Sequence, residues 1–375
     1  MRGEVIYLDY NATTPCLPEV VSALESFSLR NFGNPSSSHL LGREAKRYLE
    51  DFRKVVAELL EAEPEEIVFT SGGTEANHLA LLGIALEKEK GHLLVSAFEH
   101  PSVLYPVLKL SERGFKVDFI PVSSEGYVEV EEVVKRIKRD TLLISVMLAN
   151  NEIGTLQPIK EIAKICKERG ILLHTDACQA VGKVPVSVKE LQCDLLSLAG
   201  HKMYAPKGIG ALFIRKGIKI SPLFLGGGQE RGLRAGTEPL ALIAGLAKAA
   251  EIAQRDLKAE GERLLFLREK LWEGLQEIYP KVIRFGKPER TLPNTLMVSF
   301  VGLKGAELLS RMPQICASTG AACHDHKGSL TLSALGASPE ISEGAVRFSL
   351  GRYTNLEEIE KALEILKDTL NRYYV

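Results

Sequence analysis

An α/β fold, with a large, mostly parallel sheet followed by a smaller α+β unit, is what this sequence predicts. Three observations carry that prediction. Between about residues 65 and 216, short β-rich runs alternate with helix-like segments, the pattern of a parallel sheet covered on both faces. After Ala241 the pattern becomes a long helical stretch, and from about 295 it resets to mixed strands and helices. At 375 residues the chain is also too long for one small core.

In chain order, "EEIVFTS", "GHLLVSAF", "FKVDFIPV", "DTLLISVMLA", "GILLHTDA", "CDLLSLAG" and "GIGALFI" read as strands. Between them, "EANHLALLGIALEKEK", "VLYPVLKLSERG", "VEEVVKRIK" and "IKEIAKICKERG" read as helices. Beyond them come the helical "GERLLFLREKLWEGLQEIYP", then "TLMVSFVG", "AELLSRM" and "AVRFSLG". A last helix, "LEEIEKALEILKDTLNRYY", is expected to start on a capping box of Thr354 and Glu357. The expected division is a large unit over 15–254 and a small one over 255–375, with 1–14 packing near the second.

The totals narrow the function. A net charge of −1 gives no field for nucleic acid or an anionic membrane surface. The N-terminus lacks the apolar core of a signal peptide, and no run approaches a membrane span. Six cysteines (16, 166, 178, 193, 316, 323) show no CxxC pair or framework spacing, so they are expected to be reduced thiols in a cytoplasm. A small-molecule substrate fits this profile.

In open α/β sheets, ligands bind beyond the carboxyl ends of the strands. Five predicted strands end in capable groups: Gly72-Gly73-Thr74, Glu99-His100-Pro101, Asn150-Asn151, Asp176 with Gln179 one turn on, and His201-Lys202. Each has an ordinary alternative. Gly-Gly-Thr is a turn and cap, His100 a satisfied loop histidine, and Asn-Asn common turn chemistry. Asp176 is harder to dismiss, because a carboxylate ending an apolar strand is costly without a partner. Lys202, beyond another apolar strand, suits Schiff-base chemistry.

Together these groups meet the needs of pyridoxal 5′-phosphate. Lys202 supplies the amine, Asp176 a carboxylate for the ring nitrogen, Gly73 and Thr74 a helix N-terminus for the phosphate, and His100 a planar group for the ring. Rival motifs fail. "GIGALF" lacks the third glycine of a dinucleotide fingerprint and precedes a strand, "GGGQER" has no strand–helix context, and neither GxxxxGK[ST] nor HExxH occurs.

The blocks "YLDYNATTP", "NPSSSH", "FTSGGTEANH", "NNEIGTLQPI", "HTDACQAVGK", "GHKMYAPKGIGALF", "GGGQERGLRAGT" and "RFSLGR" follow one another along nearly the whole chain. In this order they resemble the cysteine desulfurase and selenocysteine lyase family, class-V-type pyridoxal-phosphate proteins of fold type I. The resemblance implies that Lys202 binds the cofactor aldehyde and shuttles the Cα proton. It implies that Asp176 pairs with the ring nitrogen, Gln179 contacts the phenolic oxygen, Asn151 lies beside the cofactor, and His100 stacks on the ring as an acid–base group. Gly73, Thr74 and His201 would hold the phosphate, and Thr237 would reach it from the other subunit of a homodimer. Arg347 and Asn34 would grip the substrate carboxylate, and Cys323 would be the nucleophile that accepts sulfur.

Two departures stand out. Ala199 occupies the place of a phosphate-binding serine, and the nucleophile segment reads STGAAC-HDHKG instead of a serine-rich SSGSAC type. Both are closer to the selenocysteine lyase variant. The reaction expected is removal of sulfur from L-cysteine, leaving L-alanine and a persulfide on Cys323, with sulfur passed to an acceptor or scaffold protein as in iron–sulfur cluster assembly. The alternatives are selenium release from L-selenocysteine and a catalytically silent sulfur-relay scaffold. A metal site at Cys323, His324 and His326 is not expected, because adjacent ligands seldom face one ion and only Cys316 offers a remote partner. His324, Asp325 and His326 are instead candidates to tune the Cys323 thiol.

Overall fold

Alternating apolar residues along each strand decide which side of the sheet they feed, and the computed structural model shows both sides filled. It describes residues 5–319 and 329–373. An N-terminal strand β1 (Ile6–Tyr7) precedes seven strands that form the main sheet. These are β2 (Ile67–Thr70), β3 (His92–Ser96), β4 (Lys116–Ile120), β5 (Thr141–Ser145), β6 (Leu172–Asp176), β7 (Leu195–Ala199) and β8 (Gly210–Ile214). Their order is β2-β8-β7-β6-β5-β3-β4. Neighbours from β7 to β4 run parallel, whereas β8 is antiparallel to both β7 and β2. All seven predicted strands are present in this one sheet.

Leu94, Ile144, Leu173 and Leu196 join the hydrophobic cluster on one face. Leu93, Val95, Leu143 and Leu195 join the cluster on the other. This two-residue alternation is the geometry of a strand, and it makes both faces apolar in a sheet covered by helices on each side. The edge strand β4 breaks the rule with an exposed Lys116 and a half-buried Asp118, charges that discourage further strand pairing. The β3–β5 junction, where β3 turns one way to β4 and the chain then crosses back to β5, is the switch point of the sheet.

The remaining strands are β9 (Val282–Arg284), β10 (Thr295–Phe300), β11 (Ile315–Cys316) and β12 (Ala345–Ser349). β12, β10 and β9 form an antiparallel sheet, and β11 pairs in parallel with β1. A 39-residue helix, Leu240–Ile278, links the two regions. Its residues from Leu240 to Ala253 pack into the large core, and those from Leu264 to Leu275 pack into the cluster of the small sheet.

The last helix, Leu356–Tyr373, starts differently from the sequence expectation. The capping box is Asn355 with Glu358: Glu358 N donates to Asn355 Oδ1 at 2.9 Å, and Asn355 N donates to Glu358 Oε2 at 3.1 Å. Thr354 is instead engaged by Gly351 N at 3.0 Å, so its hydroxyl closes the preceding turn. No helix among the described residues is long and apolar enough to cross a membrane.

Candidate active site

The ends of β2, β3, β5, β6 and β7 converge on a cavity of about 170 Å³. Gly73, Thr74, His100, Asn151, Asp176, Gln179, His201 and Lys202 all line it. A second cavity of about 180 Å³ shares His100, Asn151, Gln179 and Lys202 with the first, and adds Arg347 and Asp9. Its rim includes Ser318 and Leu330, which stand in sequence on either side of Cys323. Cys323, His324, Asp325 and His326 themselves lie outside the described residues. Among the described residues, no group of three His, Cys, Asp or Glu side chains could hold a metal ion.

The helix Gly73–Leu86 starts at the cavity because Gly72, at φ 149°, makes a turn that L side chains rarely adopt. Gly73 is required for close approach: a Cβ there would lie 2.6 Å from Cys178 Sγ. The exposed amides of this helix start face the place where a phosphate would sit. Ala199 lines the same cavity without a hydroxyl to contribute.

Asp176 is 5% exposed. It accepts hydrogen bonds from Asn77 Nδ2 at 2.7 Å and from Cys178 N at 2.9 Å, but makes no ion pair among the described residues. Asn77 Nδ2 also reaches Ser102 Oγ at 2.9 Å, and Ser102 meets His100 Nδ1 through both its hydroxyl (2.7 Å) and its N–H (3.1 Å). A hydrogen-bonded chain therefore runs from Asp176 to His100. Donation from Ser102 N makes Nδ1 an acceptor, which leaves the proton of the neutral ring on Nε2.

Lys202 Nζ donates to the carbonyls of Asn11 (2.6 Å) and Ala12 (2.9 Å). Burial pushes its pKa down, and the Arg347 cation adds to that effect. A larger share of the amine is then unprotonated and able to act as a nucleophile or base. Burial, with help from Lys202, Lys207 and Lys183, also takes His201 to about 4, so its ring is neutral at neutral pH.

Arg347 is 6% exposed. It donates to Asn151 O at 2.8 Å and to Asp9 Oδ1 at 2.6 Å, while its Nε is buried without a hydrogen-bond partner. Arg347 also lines the second cavity, where its planar guanidinium suits a carboxylate. Asn34 is not drawn in: it is exposed, and its Oδ1 accepts from Ser36 N at 2.9 Å in a local turn. Thr237 sits on an exposed loop and lines neither cavity of its own chain. The same loop is tied down at Glu230, whose carboxylate is held by the buried Arg53 at 2.7 and 2.8 Å and by Phe69 N of β2.

Sequence reasoning passed over Asn77, Ser102 and Asn11, and named Glu99 at a strand end without giving it a role. The signal for Asn77 was present, as an amide on an otherwise apolar helix one turn after Thr74. Glu99 is 3% exposed, accepts from Ser96 Oγ and Met147 N, and leaves Oε2 without a hydrogen bond. Burial first, and the Asp176 charge with it, raise its pKa to about 8 from an ordinary 4.5. The unfolded chain therefore ionises Glu99 through the interval from 4.5 to 8 while the folded chain keeps the proton. Stability is lost as pH rises across that window, and no further loss occurs above it. Glu99→Gln is expected to remove this loss. Its advantage in thermal melting over the parent should grow by a few kcal/mol from about pH 5 to pH 8, at about 1.4 kcal/mol per unit. An advantage that stays constant across the range would contradict the neutral carboxyl.

The donor set fits pyridoxal phosphate: a carboxylate and an amine without ion-pair partners among the described residues, and a helix that starts on glycine, all on one cavity. Fold and cavity together define the class, a pyridoxal-phosphate enzyme. The chain belongs to the family described as "Aminotransferase class-V", whose pattern matches residues 6–362. It is similar to "Cysteine desulfurase IscS" of Methanosarcina thermophila, at 46% identity over 99% of this chain and 93% of that protein. Among solved structures, one described as "NIFS-LIKE PROTEIN" superposes with a TM-score of 0.93 at 38% identity, covering 98% of this chain and all of the other. Another, "SspA in complex with cysteine", gives 0.83 at 35% identity, covering 93% and 99% of the two chains.

Proposed function

We propose that this protein is a cysteine desulfurase, converting L-cysteine to L-alanine and a persulfide on Cys323. One observation carries the proposal: the Lys202 amine and the Asp176 carboxylate share a cavity that opens directly onto the Arg347 site. Bound pyridoxal phosphate supplies an electron sink that makes the Cα proton of an amino acid removable and activates the bond from Cβ to sulfur.

The protein's own groups do the rest. Arg347 takes the substrate carboxylate on its guanidinium, orienting the amino acid toward Lys202. The Lys202 amine removes the Cα proton and later returns it. Asp176, fixed by Asn77 and Cys178 N, holds a negative charge against the ring nitrogen. His100 carries its proton on Nε2, the form needed to donate toward the ring side of the cavity. The Cys323 thiolate then attacks the substrate sulfur, forming an S–S bond as the Cβ–S bond breaks.

The working unit is a homodimer in which Thr237 reaches the phosphate of the partner's site, and Asn34 joins Arg347 at the carboxylate. The enzyme works in the cytoplasm, and the persulfide passes to an acceptor protein, as in iron–sulfur cluster assembly. Ala199 and the HDHKG run favour L-selenocysteine as the alternative substrate, because an ionised selenol leaves without needing Cys323.

The test measures alanine release and protein-bound persulfide from L-cysteine and L-selenocysteine, with the parent and with Cys323→Ala. The expected result is alanine with a persulfide mapped to Cys323, both lost with L-cysteine in the variant. Undiminished cysteine turnover by Cys323→Ala would overturn the persulfide route, and turnover of selenocysteine alone would reassign the substrate.

A further inference from the structure

A second lysine stands behind Lys202 that the reaction does not consume. Lys183 Nζ donates to Gln179 Oε1 at 2.7 Å and to Asn11 Oδ1 at 3.0 Å. Gln179 Nε2 donates to the main-chain carbonyl of Asn11 at 3.0 Å, the same oxygen that receives Lys202 Nζ at 2.6 Å. Asn11 is itself fixed, since its Oδ1 also accepts from Asn294 Nδ2 and its Nδ2 donates to Thr295 Oγ1.

The orientation of the Gln179 amide follows from this chemistry. A backbone carbonyl can only accept, so Nε2 must face Asn11 O. The other end of the amide meets the Lys183 amine, which is already donating to a second acceptor. Turning the amide over would set oxygen against oxygen at Asn11 and N–H against N–H at Lys183. With one N–H and one lone pair taken, Gln179 keeps a second N–H, and its side chain lines both cavities.

We propose that Lys183 is a positioning residue that locks the Gln179 amide with N–H, and not C=O, available to the cofactor. Its hydrogen bond polarises the amide, so the remaining N–H becomes a better donor to an anionic oxygen. The proposal rests on the reading of Gln179 as the partner of the phenolic oxygen. Burial first, and then the Lys202 and Arg347 cations, push the Lys183 pKa well down. Both of its hydrogen bonds are donations, which a neutral amine also makes.

The experiment is a double-mutant cycle on the holoenzyme, reading the cofactor dissociation constant and the visible band of the bound cofactor. Lys183→Met in the parent is expected to weaken pyridoxal-phosphate binding about tenfold and to move the band. Lys183→Gln, which keeps an N–H donor with shorter reach, should lose less, and it carries the test if the methionine variant does not fold. In a Gln179→Ala background, either substitution should change affinity by less than about twofold, because the amide it orients is gone. An equal loss in both backgrounds would overturn the proposal and leave the Gln179 assignment standing. A Gln179→Ala enzyme with parental affinity and band would instead overturn the Gln179 assignment, and the proposal with it.

Discussion

Lys202→Ala is expected to lower kcat for L-cysteine by about four orders of magnitude, the upper range for a lost acid–base group. The hydrogen-bond partners of the amine among the described residues offer no substitute base. Its nearest neighbours are the carbonyls of Asn11 and Ala12, which cannot take a proton. Lys183 is committed to Gln179 and Asn11. The variant should fold normally, because the lysine makes no ion pair among the described residues whose loss would strand a buried charge. Single-turnover release of alanine, with substrate saturating, checks the prediction. Added methylamine should restore a measurable part of the rate by occupying the space left by the side chain. Activity within tenfold of the parent would remove Lys202 from the proton path.

Asp176→Asn should cost about a thousandfold in kcat, with little change in KM for L-cysteine. The substitution keeps the shape and one acceptor for Asn77 or Cys178 N, but removes the charge proposed to face the ring nitrogen. Its effect on stability should run the opposite way. A buried carboxylate without an ion pair destabilises the protein while it waits for its partner, so the apo-variant should melt no lower than the apo-parent. Substrate binding is proposed for Arg347, which lines the adjoining cavity that the change does not touch. A rise in KM with unaltered kcat would place Asp176 in substrate binding and contradict its role beside the cofactor.

Much of this arrangement was legible before any tertiary structure. The strands were visible because they are short apolar runs punctuated by polar residues, and their ends pointed to Lys202, Asp176, His100 and Gly73 in turn. Where local pattern was ambiguous, it misled. Thr354 and Asn355 are both good caps with glutamates three residues on, and only the backbone path shows that Asn355 is the one used. Asn77 and Ser102 were missed, and Glu99 was named without a role, because their chemistry lies in partners distant in sequence. Asn77 reaches Asp176 across 99 residues, and Glu99 reaches Met147 across 48.

Sequence alone thus determined the strands, the order of their chemical groups and the cofactor class those groups suit, while the bond to be broken came from the family resemblance of its motif blocks. Strands, end groups and cofactor class depend on residue type and local period, which a chain carries without being folded. Tertiary structure decided the states of the groups. It set which imidazole nitrogen of His100 accepts, why the Lys202 pKa falls, and why that of Glu99 rises. It also turned the Gln179 amide toward Asn11 and Lys183. Hydrogen-bond direction and proton affinity depend on burial and on neighbours a few ångströms away. Those neighbours come together only when distant segments of the chain pack into one cavity.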